Sequence, residues 1–576
     1  MSNFPAISFA EATARLTAPG APFEMETRDI RGVPLRVWKN APPTLRDAFV
    51  AGRKFGGKTF LVYNDERASF EGFARASLAI AGALAEAGVV KGDRVAIAMR
   101  NLPEWPAAFF GAILTGAVVT LINAWGTGPE LEYGLTDSGA KVAILDSERL
   151  ERLIEHLPNC PDLQRVFVSR GIGENAHPLV TRLESIIGET NDWSALPDRP
   201  LPDVGLAPED DATIFYTSGT TGKPKGALGT HRNSCNGILA RPYAIARAYL
   251  RRGETPPAPN PAAPQKSVLL SVPFFHTTGC QAIMIPTLAY GGKIALMRRW
   301  DAAAAIDLIE REKINSAGGV PTIAWQLIEH PDFQTRDVSS LEGFVYGGAP
   351  AAAELVRRIK SALPGSAPGT GWGMTETSGT FTSVVGEDYE HRPDSCGPPL
   401  PVCDMRIAGP DGSDRPAGET GELWVRGPNV VKGYWRKPEA TEATFGGGWL
   451  RTGDIAKLDE EGFCTIVDRA KDMLIRGGEN IYCIEVENAL YQHPAVMDSA
   501  VVGIPHRTLG EEPGAVVTLK PGASADEAEL RAFVAARIAA FKTPVRILIR
   551  EEMLPRNANG KIMKSQLRGL FATAPA

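Results

Sequence analysis

Eleven consecutive residues, Tyr216-Thr217-Ser218-Gly219-Thr220-Thr221-Gly222-Lys223-Pro224-Lys225-Gly226, combine hydroxyls, glycines and two lysines. Such a mixture suits a loop that wraps a polyanion. Glycines let backbone N–H groups turn inward, hydroxyls donate from the side, and lysine adds charge. The spacing is not that of a Walker A loop, which needs four residues between its first glycine and Gly-Lys-[Ser/Thr]. Here two residues separate Gly219 from Gly222, and Lys223 precedes Pro224. A second run, Gly371-Trp372-Gly373-Met374-Thr375-Glu376-Thr377, places more chemistry on a glycine turn. Trp372 offers a face for stacking, Thr375 a hydroxyl, and Glu376 a hard oxygen ligand for Mg²⁺. Alone, a glycine/aromatic turn is usually structural; beside the first loop it reads as part of a phosphate-ligand site.

With these two runs the chain resembles the adenylate-forming superfamily of acyl-CoA synthetases, luciferases and peptide-synthetase adenylation domains. The resemblance spans about Leu45 to Lys564, with several motifs in family order. It implies that Thr217 to Lys223 hold the β,γ-phosphates of ATP. It places Trp372 beside adenine, where tyrosine is commoner, Thr375 near the α-phosphate and Glu376 on Mg²⁺, with Gly371, Gly373 and Met374 completing that wall. Tyr346-Gly347-Gly348-Ala349-Pro350 matches the family's other adenine wall. Asp454, in Thr452-Gly453-Asp454, matches the ribose-binding carboxylate, and Arg469 matches its partner, with Asp468 where glycine is often found. A carboxylate accepting from both ribose hydroxyls is chemically sensible.

Pro555-Arg556-Asn557-Ala558-Asn559-Gly560-Lys561 resembles the family's Pro-x-x-x-x-Gly-Lys motif, whose lysine contacts the substrate carboxylate and the α-phosphate. A carboxylate attacking phosphorus brings like charges together, at a cost of roughly 4 kcal/mol for 4 Å and an effective dielectric near 20. Lys561 and Mg²⁺ would offset that repulsion where the charge develops. Lys471, two residues after Arg469, falls on the family's hinge. Arg476-Gly477-Gly478-Glu479-Asn480 matches the acyl-CoA synthetase version of the next segment, in which Gly477 and Gly478 line the pantetheine tunnel of coenzyme A. Rotation about the hinge would exchange Lys561 for Gly477 and Gly478 at one site.

Pro273-Phe274-Phe275-His276-Thr277-Thr278-Gly279 lies where the family builds its acyl pocket and gate. Amino-acid-activating relatives commonly hold an aspartate there, so His276 in an apolar run favours a neutral acyl tail. Phe274, Phe275, His276, Tyr346 and Gly347 are the expected pocket residues, and His276 also a catalytic or gating one. The implied activity is ATP-dependent conversion of a carboxylic acid to acyl-AMP and then acyl-CoA. The acid is a medium- or long-chain fatty acid or an aryl-substituted acid. A stand-alone adenylation domain loading a carrier protein shares the first half-reaction; a nucleotide sensor and a luciferase-like oxidase are weaker alternatives.

These loops need a scaffold, and the chain alternates strand and helix in a way that supplies one. Strand-like runs at 93–99, 117–122, 141–145, 314–320 and 343–346 alternate with helical runs at 104–114, 130–137, 302–312 and 323–329. Repeated βα units imply parallel sheets covered by helices, with ligands beyond the carboxyl ends of the strands. Arg251 to Pro264 reads as a surface excursion. The texture changes at Asp468-Arg469-Ala470-Lys471-Asp472; strands are expected at 499–502, 515–519 and 545–549 and a helix over 525–540. The expectation is a large α/β domain, 1–470, of parallel and mixed sheets, and a small mobile α+β domain, 471–576.

A chain of 576 residues exceeds what one core usually serves. Its net charge of −6 provides no global basic field, so nucleic acid is not an expected partner. No charged residue falls between Glu104 and Glu130, but Gly111, Gly116, Asn123 and Gly126 interrupt the stretch. It reads as a helix feeding a buried strand, not an integral membrane segment. The seven cysteines form no CxxC pair, and no secretory signal precedes the first elements, which points to reduced thiols in the cytoplasm. The partners expected are the small-molecule acid, ATP and CoA, and the family admits a homodimer.

Overall fold

The computed structural model describes residues 4–171, 177–217, 223–258, 260, 262–348, 353–477, 479–557 and 560–573. Two eight-stranded sheets form the centre of the large domain. In the first, strands Val118–Leu121, Arg94–Ala98, Ala140–Asp146 and Arg165–Ser169 pair in parallel, and Asp211–Tyr216 joins them beside Val118–Leu121. In the second, Ala367–Gly371, Gly343–Gly347, Ser316–Gly319, Ser267–Leu270 and Lys293–Leu296 run parallel in that spatial order. The expected strand–helix alternation is therefore present, and it places the loops after Tyr216, Gly347 and Gly371 at carboxyl ends of strands.

Two helices fill the space between the sheets. Phe70–Glu86 starts at Ser69, whose hydroxyl accepts from the Gly72 amide. All eleven residues of Glu104–Leu114 are buried. Gly111 lets these two helices approach, because a Cβ there would lie 2.7 Å from Ile80. The charge-free stretch is thus a core helix followed by strand Val118–Leu121. Among the described residues no helix is long and apolar enough to cross a membrane. Glu104 is tolerated inside because Arg170 donates to it at 2.9 Å while also gripping Glu66 at 2.7 Å. All seven cysteines are free thiols.

Arg251 does not begin a surface excursion. It ends helix Ala240–Arg251 and is 1% exposed, paired with Asp388 at 2.7 Å and donating to the Ile7 carbonyl at 3.1 Å. Burial of such a charge requires these partners.

A four-stranded antiparallel sheet, Asp404–Ala408, Gly421–Arg426, Leu450–Leu458 and Cys464–Arg469, completes the large domain. The next strand, Leu474–Arg476, already belongs to another sheet, with Glu479–Ile481, Val496–His506, Gly510–Leu519 and Arg546–Arg550. The change of sheet thus falls between Arg469 and Leu474, around Lys471. The helix expected over 525–540 is Glu527–Ala535, capped by Asp526. Beyond Ala536 the chain turns so that Ile538 and Phe541 pack on the small domain's core.

Candidate active site

The neck of the phosphate-type loop is tied before the loop begins. The Thr217 amide donates to the Lys225 carbonyl at 2.8 Å, and the Tyr216 hydroxyl donates to Asp137 at 2.8 Å. Tyr133 adds a bond to the Pro224 carbonyl at 3.0 Å. Ser218, Gly219, Thr220, Thr221 and Gly222 lie outside the described residues, as do Ala349, Pro350 and Gly478. Lys223 stands over the Tyr133 ring at 5.1 Å and Lys225 over the Tyr434 ring at 4.9 Å. Both ammonium groups lie over aromatic faces, and among the described residues neither forms a salt bridge.

The second glycine run is glycine-rich for steric reasons. A Cβ on Gly371 would lie 2.4 Å from the Thr382 carbonyl, and one on Gly373 would lie 1.7 Å from that of Gly379. Trp372 is thereby set edge-on to Phe381, and its indole N–H donates to Asp454 Oδ2 at 2.8 Å. The other oxygen of Asp454 faces Arg469 Nε at 3.2 Å. Asp454 is 4% exposed, so its charge is balanced from both sides. Met374 donates its amide to Thr377, and Thr375 opens the short turn Thr375–Thr377. Glu376 is buried and accepts from the Tyr434 hydroxyl at 2.7 Å. Burial and the Glu376 carboxylate together push the Tyr434 phenol well above its usual pKa, so it stays a donor.

Lys561 joins this group from the small domain. Bonds within its loop include the Asn557 amide to the Lys561 carbonyl (2.9 Å), the Lys561 amide to Asn557 Oδ1 (3.0 Å), the Gly560 amide to the Asn557 carbonyl (2.9 Å) and Arg556 Nη1 to the Gly560 carbonyl (2.5 Å). Gly560 rests on Val320 so closely that a Cβ would lie 2.8 Å from it. Burial lowers the Lys561 pKa to about 8; Arg469 and Lys471 push the same way, and Asp454 and Glu376 oppose them. A cleft of about 1120 Å³ between the domains is lined by Trp372, Gly371, Asp454, Arg469, Lys471 and Lys561, among others.

His276 lies within the field of Lys561 but, like Phe275, Tyr346 and Gly347, does not line the cleft. Its Nε2 has no hydrogen-bond partner among the described residues, and burial, reinforced by the Lys561 charge, lowers its pKa to about 3. The imidazole is therefore neutral. The other expected acyl residues divide. Phe275 is buried with its ring 4.4 Å from His276. Phe274 is 0% exposed and stacked on Trp105 at 4.9 Å, in the core and not on the cleft. Tyr346 is buried and bonded through its hydroxyl to Tyr389 at 2.9 Å. Gly347 ends its strand, and Gly348 lines the cleft with φ +75°.

Near Lys471, Asp468 accepts from the Cys483 amide at the start of helix Cys483–Tyr491, a bond across the change of sheet. Farther away, Lys520 pairs with Glu329 at 3.2 Å and lies over Trp325. Gly477 sits in an exposed turn with φ +59°, its amide bonded to the Leu509 carbonyl, and does not line the cleft. Lys561 is thus inside the site and Gly477 outside it. Sequence reasoning did not anticipate Tyr434, Asp137 or the Lys520–Glu329 pair. Tyr434 meets Glu376 across 58 positions, a separation no local spacing reveals.

The arrangement can hold a nucleotide by ring, ribose and phosphates and bring a cation to an incoming carboxylate. Comparisons with known proteins agree with that chemistry. Residues 49–435 match the model for AMP-binding enzymes, and residues 485–561 match that for the AMP-binding enzyme C-terminal domain. The chain is 35% identical over 495 residues to a feruloyl-CoA synthase of Amycolatopsis sp, covering 85% of this chain and 91% of that one. It is 33% identical over 541 residues to a long-chain-fatty-acid–CoA ligase of Bacillus subtilis, covering 89% and 92%. Its fold is similar to the anthranilate CoA ligase AuaEII in complex with anthranoyl-AMP, with TM-score 0.79, 28% identity and coverage of 92% and 98%.

Proposed function

The chain belongs to the AMP-binding enzyme family, and we propose that it is an AMP-forming acid–CoA ligase. The carboxylate of an acid attacks the α-phosphorus of ATP, giving acyl-AMP and pyrophosphate; the thiolate of CoA then attacks the acyl carbon and AMP leaves. The observation that carries the reading is convergence. Trp372, Asp454, Arg469 and Lys561, from segments almost two hundred residues apart, line one cleft. Adenine lies against Trp372, the ribose hydroxyls donate to Asp454, and Lys561 neutralises charge between carboxylate and phosphate.

Magnesium fits the donor set in a limited way. Among the described residues no cluster of three or more His, Cys, Asp or Glu could hold a metal alone. Glu376, one oxygen held by Tyr434, supplies a single carboxylate, which is what Mg²⁺ takes when substrate phosphates provide the rest. Bound there it would offset phosphate charge. Lys471 is the hinge about which 471–576 turns, bringing Gly477 and Gly478 to the thioester step. Seven free thiols accord with a cytoplasmic setting.

Two measurements probe the assigned roles. Trp372→Phe keeps a stacking ring but removes the donor to Asp454, so KM for ATP should rise about tenfold with little change in kcat. The loss should shrink with 3′-deoxy-ATP, and an unchanged KM would remove Asp454 orientation from the tryptophan's duties. The second is a pH profile. Lys561 acts as an ammonium, and its pKa near 8 means that kcat/KM for adenylation should fall as pH rises through about 8. The limb in kcat should lie higher, since bound anions favour the charged lysine. A kcat/KM flat up to the ordinary lysine range would contradict this role.

The reaction itself is tested with ATP, free CoA and a panel of fatty, arylacetic and benzoic acids. Acid-dependent AMP, pyrophosphate and thioester support it; formation of acyl-AMP without thioester from free CoA does not.

A further inference from the structure

Helix Ala240–Arg251 meets the sheet of strands Ser316–Gly319, Gly343–Gly347 and Ala367–Gly371 through Arg241. Arg241 Nη2 donates to Ser316 Oγ at 3.3 Å, which fixes the sheet face that looks at the helix. Side chains alternate along a strand, so Gly318 shares this face, and its register partner Val345 stands beside it, followed by Gly369. Neither glycine can carry a side chain: a Cβ on Gly318 would lie 1.7 Å from the Val345 carbonyl, and one on Gly369 2.8 Å from Val385. The opposite wall is Ile245, one helical turn beyond Arg241. Val345 is 37% exposed although its strand is interior to the sheet, and Ile245 is 40% exposed. The two exposed side chains leave room for a groove between helix and sheet.

One end of the groove reaches the reaction. Strand Ser316–Gly319 runs into Val320, the residue on which Gly560 rests beside Lys561. Ser316 lies four residues earlier, roughly 13 Å away at about 3.3 Å per residue. A charged group thus stands at the far end of an otherwise apolar and glycine-lined path. Glu342, the carboxylate whose field reaches Arg241, is gripped by Lys266 at 2.6 and 2.7 Å. Among the described residues Arg241 has no ion pair, only the serine hydroxyl.

We propose that Arg241 selects acids carrying a second carboxylate at the end remote from the one activated, binding it against Ser316 in the groove. The proposal rests on the ligase reading and narrows it to a substrate class. A guanidinium presents a planar fork that matches a carboxylate bidentately. Arg241 keeps an exposed face, yet partial loss of hydration lowers its pKa, and the incoming carboxylate supplies counter-charge. The neutral tail expected from the surroundings of His276 then forms the middle of the substrate, not its end.

The test compares straight-chain α,ω-dicarboxylic acids of increasing length with the monocarboxylic acids of equal length, scored by pyrophosphate release with ATP and CoA. The wild-type enzyme should favour the best dicarboxylic acid by about tenfold or more in kcat/KM. Arg241→Met should reverse that preference, raising KM for the dicarboxylic acid while improving the monocarboxylic one; Arg241→Lys should retain part of it. Equal use of both acids by the wild type, or an unchanged ratio in Arg241→Met, overturns the proposal while leaving the ligase intact. Absence of pyrophosphate release with every acid defeats the ligase reading instead.

Discussion

Lys561→Ala should reduce acyl-AMP formation by about 100- to 1000-fold, the usual effect of removing one group that stabilises developing charge. Thioester formation from supplied acyl-AMP should stay within a few-fold of wild type. The asymmetry follows from the position of the side chain. Lys561 is in the cleft with Asp454 and Arg469, and in the proposed reaction it would there meet the charge of a carboxylate approaching phosphorus. No such approach occurs once acyl-AMP exists. Deleting the side chain leaves its loop in place, because the Asn557 and Gly560 bonds use backbone groups of Lys561 and its neighbours. The two half-reactions are separated by following pyrophosphate exchange and, independently, thioester from purified acyl-AMP. Equal losses in both would contradict the role.

Lys471→Pro should act the other way round. The four-stranded sheet ends at Arg469 and the small domain's first strand begins at Leu474, so the intervening residues must absorb any rotation. Proline fixes φ near −65° and removes the residue's N–H. The Ala470 amide is bonded to the Gly453 carbonyl at 3.0 Å and those of Asp472 and Met473 to the Arg469 carbonyl, which steadies the present arrangement. Adenylation should therefore survive within about threefold. Thioester formation should fall about 100-fold, the order expected when reacting groups are misplaced by an ångström or more. Lys471→Ala controls for the charge, which lies near Lys561. Wild-type rates for both steps in Lys471→Pro would remove the hinge from this position.

The residues that meet in the cleft are legible in the sequence where they sit in short contiguous runs. The glycine run around Trp372 was such a case, and so were the lysine loop and the alternation that puts both at strand ends. The helix at Glu104 and the strand after it were legible from the glycines that broke an apolar stretch. Other features depend on pairing across the chain. Tyr434 touches Glu376 and Lys225 only because strand Gly433–Tyr434 pairs with Gly226–Thr230. Phe274 belongs to an apolar run whichever way it points, and only packing against Trp105 assigns it to the core. Arg251 looked like the start of a charged surface loop; its burial requires Asp388, 137 positions later. Arg241 gave no signal at all, since a lone arginine acquires meaning only from the glycine-lined face opposite it.

The central claim is that one cleft performs adenylation and then, after rotation, thioester formation. It is tested most directly by quantifying AMP, pyrophosphate and acyl-CoA together, with purified protein, Mg²⁺, ATP, free CoA and the acid panel. The expected result is one AMP, one pyrophosphate and one acyl-CoA per turnover, all dependent on acid, with acyl-AMP trapped when CoA is withheld. Formation of ADP and phosphate, or of AMP without any dependence on acid, would contradict it.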